Sequence, residues 1–563
     1  MPDCSRRRAR YDAAIIGDIW MFGLMQDWPL LVHKIIDHAA LYHARREIVT
    51  RSVAGPIVRT TYGELALRAR KVAQALDRLG IKEGERVATL AWNTANHLET
   101  WYGITGMGAV YHTINPRLFP EQIVWIANHA EDRVLFFDTS FAPVIEQIAP
   151  QLPAIKLFIA LTDRAHLPQI PVPNLVAYED FIAADDGDFA WRELDERAAC
   201  GLCYTSGTTG NPKGVLYSHR SNVLLSLMAS GRDSLGVSGR DTVLPIVPMF
   251  HANAWGLAFL APMVGANLVM PGAKLDGHSI CELLETERVT MTAAVPTVWL
   301  GLLQFLEATG KKLPHLKRVV IGGSAAPRSM IEAFETKYGV EVIHAWGMTE
   351  MSPLGTLGTL KPGFEELPYP RQLDYKVKQG RPLFGVELKL VGNGEQEQPR
   401  DGKTFGRLKV RGPAIAKGYF RGEGTSYFDE EGWFDTGDVA TIDEDGYMTI
   451  TDRAKDVIKS GGEWISSIEI ENIAVSHPAV AEAAVIGVHH PKWDERPLLI
   501  AVLKPGRVAT REEILHYLSG KIAKWWIPDD VVFVDTIAHT ATGKIQKLEL
   551  RKAFANYRLP GVA

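Results

Sequence analysis

From about residue 30 to residue 160 the chain alternates stretches of helical and strand-like apolar spacing, and the alternation continues to about residue 350. Helices with one apolar stripe must cover a sheet buried on its faces, so this pattern predicts α/β layers. Apolar residues from Tyr62 to Leu79 recur at helical spacing; Arg86 to Ala91, Arg133 to Phe137, Lys317 to Ile321 and Glu341 to Trp346 read as strands. Pro327, just after Gly322–Gly323, suits the first turn of a helix. From Gly363 to Gly380 the chain is polar and reads as a surface excursion; short strands follow, with Asp445–Gly446 as a hairpin signal. A new α/β pattern begins near Asp456, which sets a boundary at Asp452–Asp456. A length of 563 residues is enough for several packing units.

Composition narrows the function classes. A net charge of -5 gives no electrostatic case for nucleic-acid binding. Four cysteines fit a reducing cytosol rather than a disulfide scaffold, and Cys200-x-x-Cys203 reads as part of a buried strand rather than a redox or zinc motif. Thr242 to Ala273 holds no Asp, Glu, Lys or Arg, yet Pro245, Pro248, Pro262 and Pro271 interrupt it, so it reads as core and pocket wall, not an integral membrane segment. The N-terminus lacks the features of a signal peptide. Met21 opens a segment that looks like an ordinary start, so residues 1–20 are expected to be a disordered extension.

The strongest local signal is Tyr204-Thr-Ser-Gly-Thr-Thr-Gly-Asn-Pro-Lys-Gly-Val215. Glycines let backbone N–H groups converge on an anion, the hydroxyls of Thr205, Ser206, Thr208 and Thr209 add donors, and Lys213 adds a point charge. That chemistry suits a polyphosphate. It is not a Walker loop, because Lys213 is followed by Gly214. The loop is expected to join two strands, Cys200–Thr205 and Gly214–Tyr217, with Ser218 capping the helix that follows.

With six further motifs in order, the chain resembles the adenylate-forming superfamily of acyl-CoA synthetases, luciferases and peptide-synthetase adenylation domains. The motifs are PMFHANAWG at 248–256, GGSAAP at 322–327, AWGMTE at 345–350, WFDTGDVA at 433–440, DRAKDVIKSGGEWIS at 452–466 and ATGKIQK at 541–547. Within that superfamily it is similar to bacterial medium- and long-chain fatty acyl-CoA synthetases and to the 3-methylthiopropionate–CoA ligase branch. The resemblance implies a multi-domain α/β protein: a large N-terminal domain (21–452) of layered α/β subdomains with a β-barrel-like part, a hinge (453–456) at Lys455, and a small mobile α+β C-terminal domain (457–563). It implies ATP and coenzyme A as co-substrates, a Mg²⁺ ion, and a cytoplasmic enzyme; relatives are often homodimers.

The resemblance also implies roles for individual residues. Thr205, Ser206, Gly207, Thr208, Thr209, Gly210 and Lys213 would hold phosphates. Glu350, with Thr205 on the same metal, would ligate Mg²⁺, and Thr349 would lie beside the phosphate. Trp346 would stack near adenine, opposite Gly323, Ser324, Ala325 and Ala326, with His344, Ala345, Gly347 and Met348 completing that wall. Asp438 and Arg453 would bind the ribose. Lys544 would catalyse adenylation by stabilising charge at the bridging oxygens. The small domain would then rotate about Lys455, bringing Lys459, Gly461, Gly462 and Trp464 to the thioester step.

For the acid, His251 stands where amino-acid-activating relatives carry an Asp, which argues against amino-acid substrates. The neighbourhood of Trp255, Gly256, Val295, Pro296, Val298 and Trp299 is apolar and suits an aliphatic or thioether chain. The leading expectation is a medium- or long-chain fatty acid, with 3-methylthiopropionate as the alternative. An adenylating enzyme serving a carrier protein and a catalytically dead binding protein are weaker readings.

Overall fold

The computed structural model describes residues 23–205, 211–392, 394–454, 456–461, 463–539 and 545–560, with backbone only at 463 and 464. The expectations for residues 1–20, Ser206 to Gly210, Lys455, Gly462 and Lys544 therefore lie outside the described residues.

Among the described residues four sheets organise the chain. The first has nine strands. Its parallel centre runs side by side through Glu341–Gly347, Arg318–Ile321, Met291–Ala294, Thr242–Pro245, Asn267–Met270 and Glu47–Arg51. The second has seven strands, parallel except for Gly214–Ser218, which returns antiparallel against Ala199–Tyr204. A four-stranded antiparallel sheet spans Glu387–Val391 to Met448–Arg453. A five-stranded sheet starts at Ile458–Ser460 and includes the long hairpin Val480–His490 with Asp494–Leu503. The four-stranded sheet ends at Arg453 and the five-stranded sheet begins at Ile458.

Local chemistry explains the elements. Tyr62–Arg78 is a helix because Thr61 and Glu64 close a reciprocal capping box and its apolar stripe, including Leu65, Ala69, Val72 and Leu76, is buried. Such a cap stabilises a helix by about 1 kcal/mol. Strands form at Arg86–Leu90, Val134–Phe137 and Arg318–Ile321, close to their expected bounds. Asp443 accepts from the N–H groups of Asp445 and Tyr447, and Gly446 takes φ +84°, so the expected hairpin forms between Phe434–Ile442 and Met448–Arg453.

Two local expectations need correction. Pro327 is the N-cap of Arg328–Glu332 rather than part of its first turn. Within 363–380 the chain forms the helix Tyr369–Lys376, which buries Leu373, so this segment packs rather than loops out.

The charge-free stretch 242–273 folds as strand, turn, the helix Leu257–Val264, and strand, all in the core. Among the described residues no helix is long and apolar enough to cross a membrane. Cys200 and Cys203 are buried, and burial pushes the thiols up to about 12 and about 11, so both stay protonated at neutral pH.

Candidate active site

Four neighbouring parallel strands of the nine-stranded sheet deliver four segments to one edge: 246–256, 295–296, 322–327 and 346–350. The carboxyl ends of parallel strands are where α/β sheets bind ligands, because the chain must leave the sheet there and its loops diverge into a crevice. Thr205 leaves the carboxyl end of Ala199–Tyr204 in the other large sheet, and the two sheets are tied where the Tyr217 hydroxyl donates to the Thr349 carbonyl at 2.8 Å.

Around Glu350 the groups converge tightly. Its carboxylate is buried and Oε1 accepts from the Tyr419 hydroxyl at 2.6 Å, while its carbonyl accepts from the Ala416 N–H at 2.7 Å. The Lys213 ammonium lies 4.6 Å from the ring centre of Tyr427 and 5.6 Å from that of Tyr419, and its backbone is fixed by a 2.9 Å bond from the Thr205 N–H to the Lys213 carbonyl. Tyr419 and Tyr427 had no motif to announce them; they are aromatic residues in a turn-rich stretch. Burial beside Glu350 pushes the Tyr419 phenol well above its ordinary range, so it acts as a donor at every working pH.

Asp438 is the second focus. It pairs with Arg453 across the antiparallel register; Oδ1 lies 3.0 Å from Arg453 Nε, and Trp346 Nε1 donates to Oδ2 at 3.2 Å. Trp346, Asp438 and Arg453 are thus brought together.

His344 buttresses the same wall. Its Nδ1 donates to the Val377 carbonyl at 3.0 Å, and Nε2 accepts from the Ala326 N–H at 3.2 Å, which fixes the tautomer. Burial lowers its pKa from 6.5 to about 4. The unfolded chain takes up a proton below pH 6.5 while the folded chain does not until about 4, so the stability held by neutral His344 is full above 6.5 and lost as pH falls through about 4. His344→Gln, which keeps an acceptor for Ala326 but cannot titrate, should therefore be less stable than the parent at pH 7.5, with the gap closing by up to about 3 kcal/mol towards pH 4. Urea unfolding of both proteins across that range measures it, and a gap independent of pH refutes it.

The segment 252–256 has an unusual backbone. Ala252, Asn253, Ala254 and Trp255 hold φ of 47°, 60°, 51° and 54°, followed by Gly256 at 79°. Left-handed backbone costs roughly 1–2 kcal/mol per non-glycine residue, so a run of four persists only if its surroundings enforce it. Asn93 staples the approach: its amide donates to the carbonyls of Pro245 and Val247 and accepts from the Met249 N–H at 2.6 Å. The turn lays the Trp255 ring on Gly322 and Gly323, where an added Cβ on Gly322 would come within 3.0 Å of the indole, and Val295 closes on Gly323 from the other side. His251 opens this turn, and Pro296 and Val298 begin the neighbouring helix Pro296–Thr309.

Trp299 is not brought there. It is fully buried, its Nε1 donates to the carbonyls of Ala294 and Val320, and its ring meets Phe334 edge-on at 5.6 Å. It packs in a different core cluster from the one Trp255 joins. The reason is helical phase: one strand-end segment presents Val295 to the edge while the helix turns Trp299 inward against the sheet.

In the five-stranded sheet, Lys459 is exposed and its backbone N–H donates to Glu495 at 2.9 Å. Gly461 takes φ +60° against Trp493 and Trp525, and Trp464 pairs with Lys459 in register.

The family profile of AMP-binding enzymes matches residues 36–420, and that of the AMP-binding enzyme C-terminal domain matches 469–544. The chain belongs to the AMP-binding enzymes. It is 52% identical over 534 residues to a 3-methylmercaptopropionyl-CoA ligase from Ruegeria lacuscaerulensis, covering 95% of this chain and 99% of that one. It is 49% identical over 539 residues to a medium-chain-fatty-acid–CoA ligase from Ectopseudomonas oleovorans, covering 96% and 98%. Among solved structures it resembles the anthranilate–CoA ligase AuaEII in complex with anthranoyl-AMP, at TM-score 0.83 and 27% identity, covering 94% and 99%. These place the chain in the ATP-dependent acyl-CoA ligase group of that family.

Proposed function

We propose that this protein activates a carboxylic acid with ATP and passes the acyl group to coenzyme A in the cytoplasm. In the first half-reaction a carboxylate oxygen attacks the α-phosphorus of ATP, and pyrophosphate leaves as the acyl-adenylate forms. In the second the thiol sulfur attacks the acyl carbon, AMP leaves, and the thiol proton is released. The observation that carries this reading is the meeting of Glu350, Trp346 and the Asp438–Arg453 pair at one sheet edge, next to the segment that ends in Trp255. The resemblance to a structure holding an acyl-adenylate supports it.

In this scheme Asp438 and Arg453 hold the ribose, Trp346 lies by the adenine against 323–326, and Thr205 to Lys213 hold the phosphates. Lys544 stabilises the charge of adenylation. The segment from 457 onwards then turns about Lys455, and Lys459, Gly461, Gly462 and Trp464 serve thioester formation. The residues fit a magnesium ion held by one buried carboxylate, Glu350, with Thr205 beside it and phosphates completing the shell. Such an ion would neutralise charge on the phosphates.

For the acid we favour an unbranched aliphatic chain of medium or greater length, lying along Trp255, Gly256, Val295, Pro296 and Val298 behind His251. A second reading, 3-methylmercaptopropionate, is favoured by the relatives at 52% and 51% identity. Pyrophosphate release measured across acids from propionate to dodecanoate and the thioether acid, with and without coenzyme A, tests both. The fatty-acid reading expects kcat/KM for a medium-chain acid to exceed that for the thioether acid at least about tenfold, whereas a steep fall beyond about four carbons selects the thioether acid. Absence of both AMP and thioester with every acid ends the ligase reading itself.

A further inference from the structure

The left-handed turn carrying Trp255 is held from inside the protein. Asn253 is fully buried, and its side chain closes a triangle with two others. The Tyr111 hydroxyl donates to Asn253 Oδ1 at 3.0 Å, Asn253 Nδ2 donates to Asn222 Oδ1 at 3.4 Å, and Asn222 Nδ2 donates back to the Tyr111 hydroxyl at 3.4 Å. Tyr111 and Asn222 are buried as well. The triangle joins the strand Val110–Thr113, the helix His219–Ser230 and the turn, so it ties the turn to parts of the core that lie outside the nine-stranded sheet. A buried polar network whose members satisfy one another rigidifies what it touches, and one missing member leaves the others unpaired.

Two features make this a device for the pocket. Asparagine is among the few side-chain-bearing residues that tolerate a positive φ, and here that residue is also the anchor. Two residues further on, the same turn sets the indole of Trp255 against Gly322 and Gly323, with no slack on the Gly322 side. A shift of the turn by a few tenths of an ångström therefore moves the Trp255 ring relative to Val295, and with it the depth of the apolar wall.

We propose that Asn253, clamped by Tyr111 and Asn222, is a positioning residue that sets acid selectivity through Trp255. This rests on the reading of Trp255 as part of the acyl pocket. The clamp is buried in the core, and it acts only by where it holds the ring.

The experiment compares the ratio of kcat/KM for octanoate to that for butyrate in the parent, Tyr111→Phe, Asn253→Gly and Trp255→Ala. A variant that is merely less well folded lowers both values by the same factor and leaves the ratio alone, so the ratio separates positioning from stability. Tyr111→Phe removes one oxygen while keeping the ring that stacks on Trp101 at 4.3 Å. Asn253→Gly keeps the backbone able to hold its positive φ while deleting the anchor. The ratio is expected to change at least fivefold in both clamp variants, and KM for ATP to stay within twofold. If the ratio moves in Trp255→Ala but not in the clamp variants, the clamp is overturned and the pocket reading stands. An unmoved ratio in Trp255→Ala removes the pocket reading and the proposal together. Failure of both clamp variants to fold also overturns it, because the triangle then serves the core alone. A parent enzyme inactive on every acid is a failure of the ligase reading, separate from these outcomes.

Discussion

Lys544→Ala should slow acid-dependent pyrophosphate release by about 10²–10³-fold while leaving thioester formation from supplied acyl-adenylate within a few-fold of the parent. Attack of a carboxylate on the α-phosphate brings anionic groups together, and the charge then builds on the departing pyrophosphate. One preorganised cationic donor at such a centre contributes about 3–4 kcal/mol to the transition state. The residues that flank 540–544 are held by their own contacts. His539 and Ile545 pair across the loop, and the Gln546 N–H donates to the Ala538 carbonyl at 2.8 Å. Lys547 is half-buried, 2.8 Å from Glu471 and bonded to Ser467, whose N–H and hydroxyl both donate to Asp452. These contacts fix the flanking residues near the third and fourth sheets. Thioester formation needs no cation over the phosphates, so Lys459→Ala or a bulky residue at Gly462 should show the opposite bias. Rapid-quench measurement of each half-reaction decides it, and equal losses in both halves would falsify the assignment.

Glu350→Gln is expected to cost a comparable factor, about 10²–10³ in adenylation, for a different reason. The amide oxygen can still accept from the Tyr419 hydroxyl, so the 2.6 Å contact and the surrounding packing survive while the negative charge is lost. A hard divalent cation bound through one carboxylate plus phosphates loses its protein charge in that variant. Activity should therefore require several-fold more Mg²⁺ for half-saturation, and recover partly when it is supplied. An unchanged magnesium titration would show that Glu350 serves the fold through Tyr419 and not the metal.

Much of this protein was legible from residue order. The helix that begins at Tyr62, the paired strands on either side of 205–213 and the hairpin at Asp445–Gly446 are local chemistry, and local chemistry needs only neighbours in sequence. The pairing of Asp438 with Arg453 across one hairpin belongs to the same class. Trp299 shows where the reasoning stops: its apolar surroundings in sequence suit a pocket wall and a core equally, and only helical phase against the sheet chooses the core. Tyr419 and Asn253 show the same limit from the other side. Tyr419 meets Glu350 from 69 residues away and Tyr111 meets Asn253 from 142 away, distances over which spacing carries no signal.

By itself, then, the sequence determined the α/β layering and the family to which the chain belongs, because period, turn residues and motif order are one-dimensional properties. The tertiary structure alone decided which tryptophan lies against Gly322 and Gly323, that four successive left-handed residues carry it, and which distant hydroxyls and amides hold the Glu350 carboxylate and the turn in place. Those are consequences of parallel strands ending side by side, which brings together segments that the chain itself keeps tens to hundreds of residues apart.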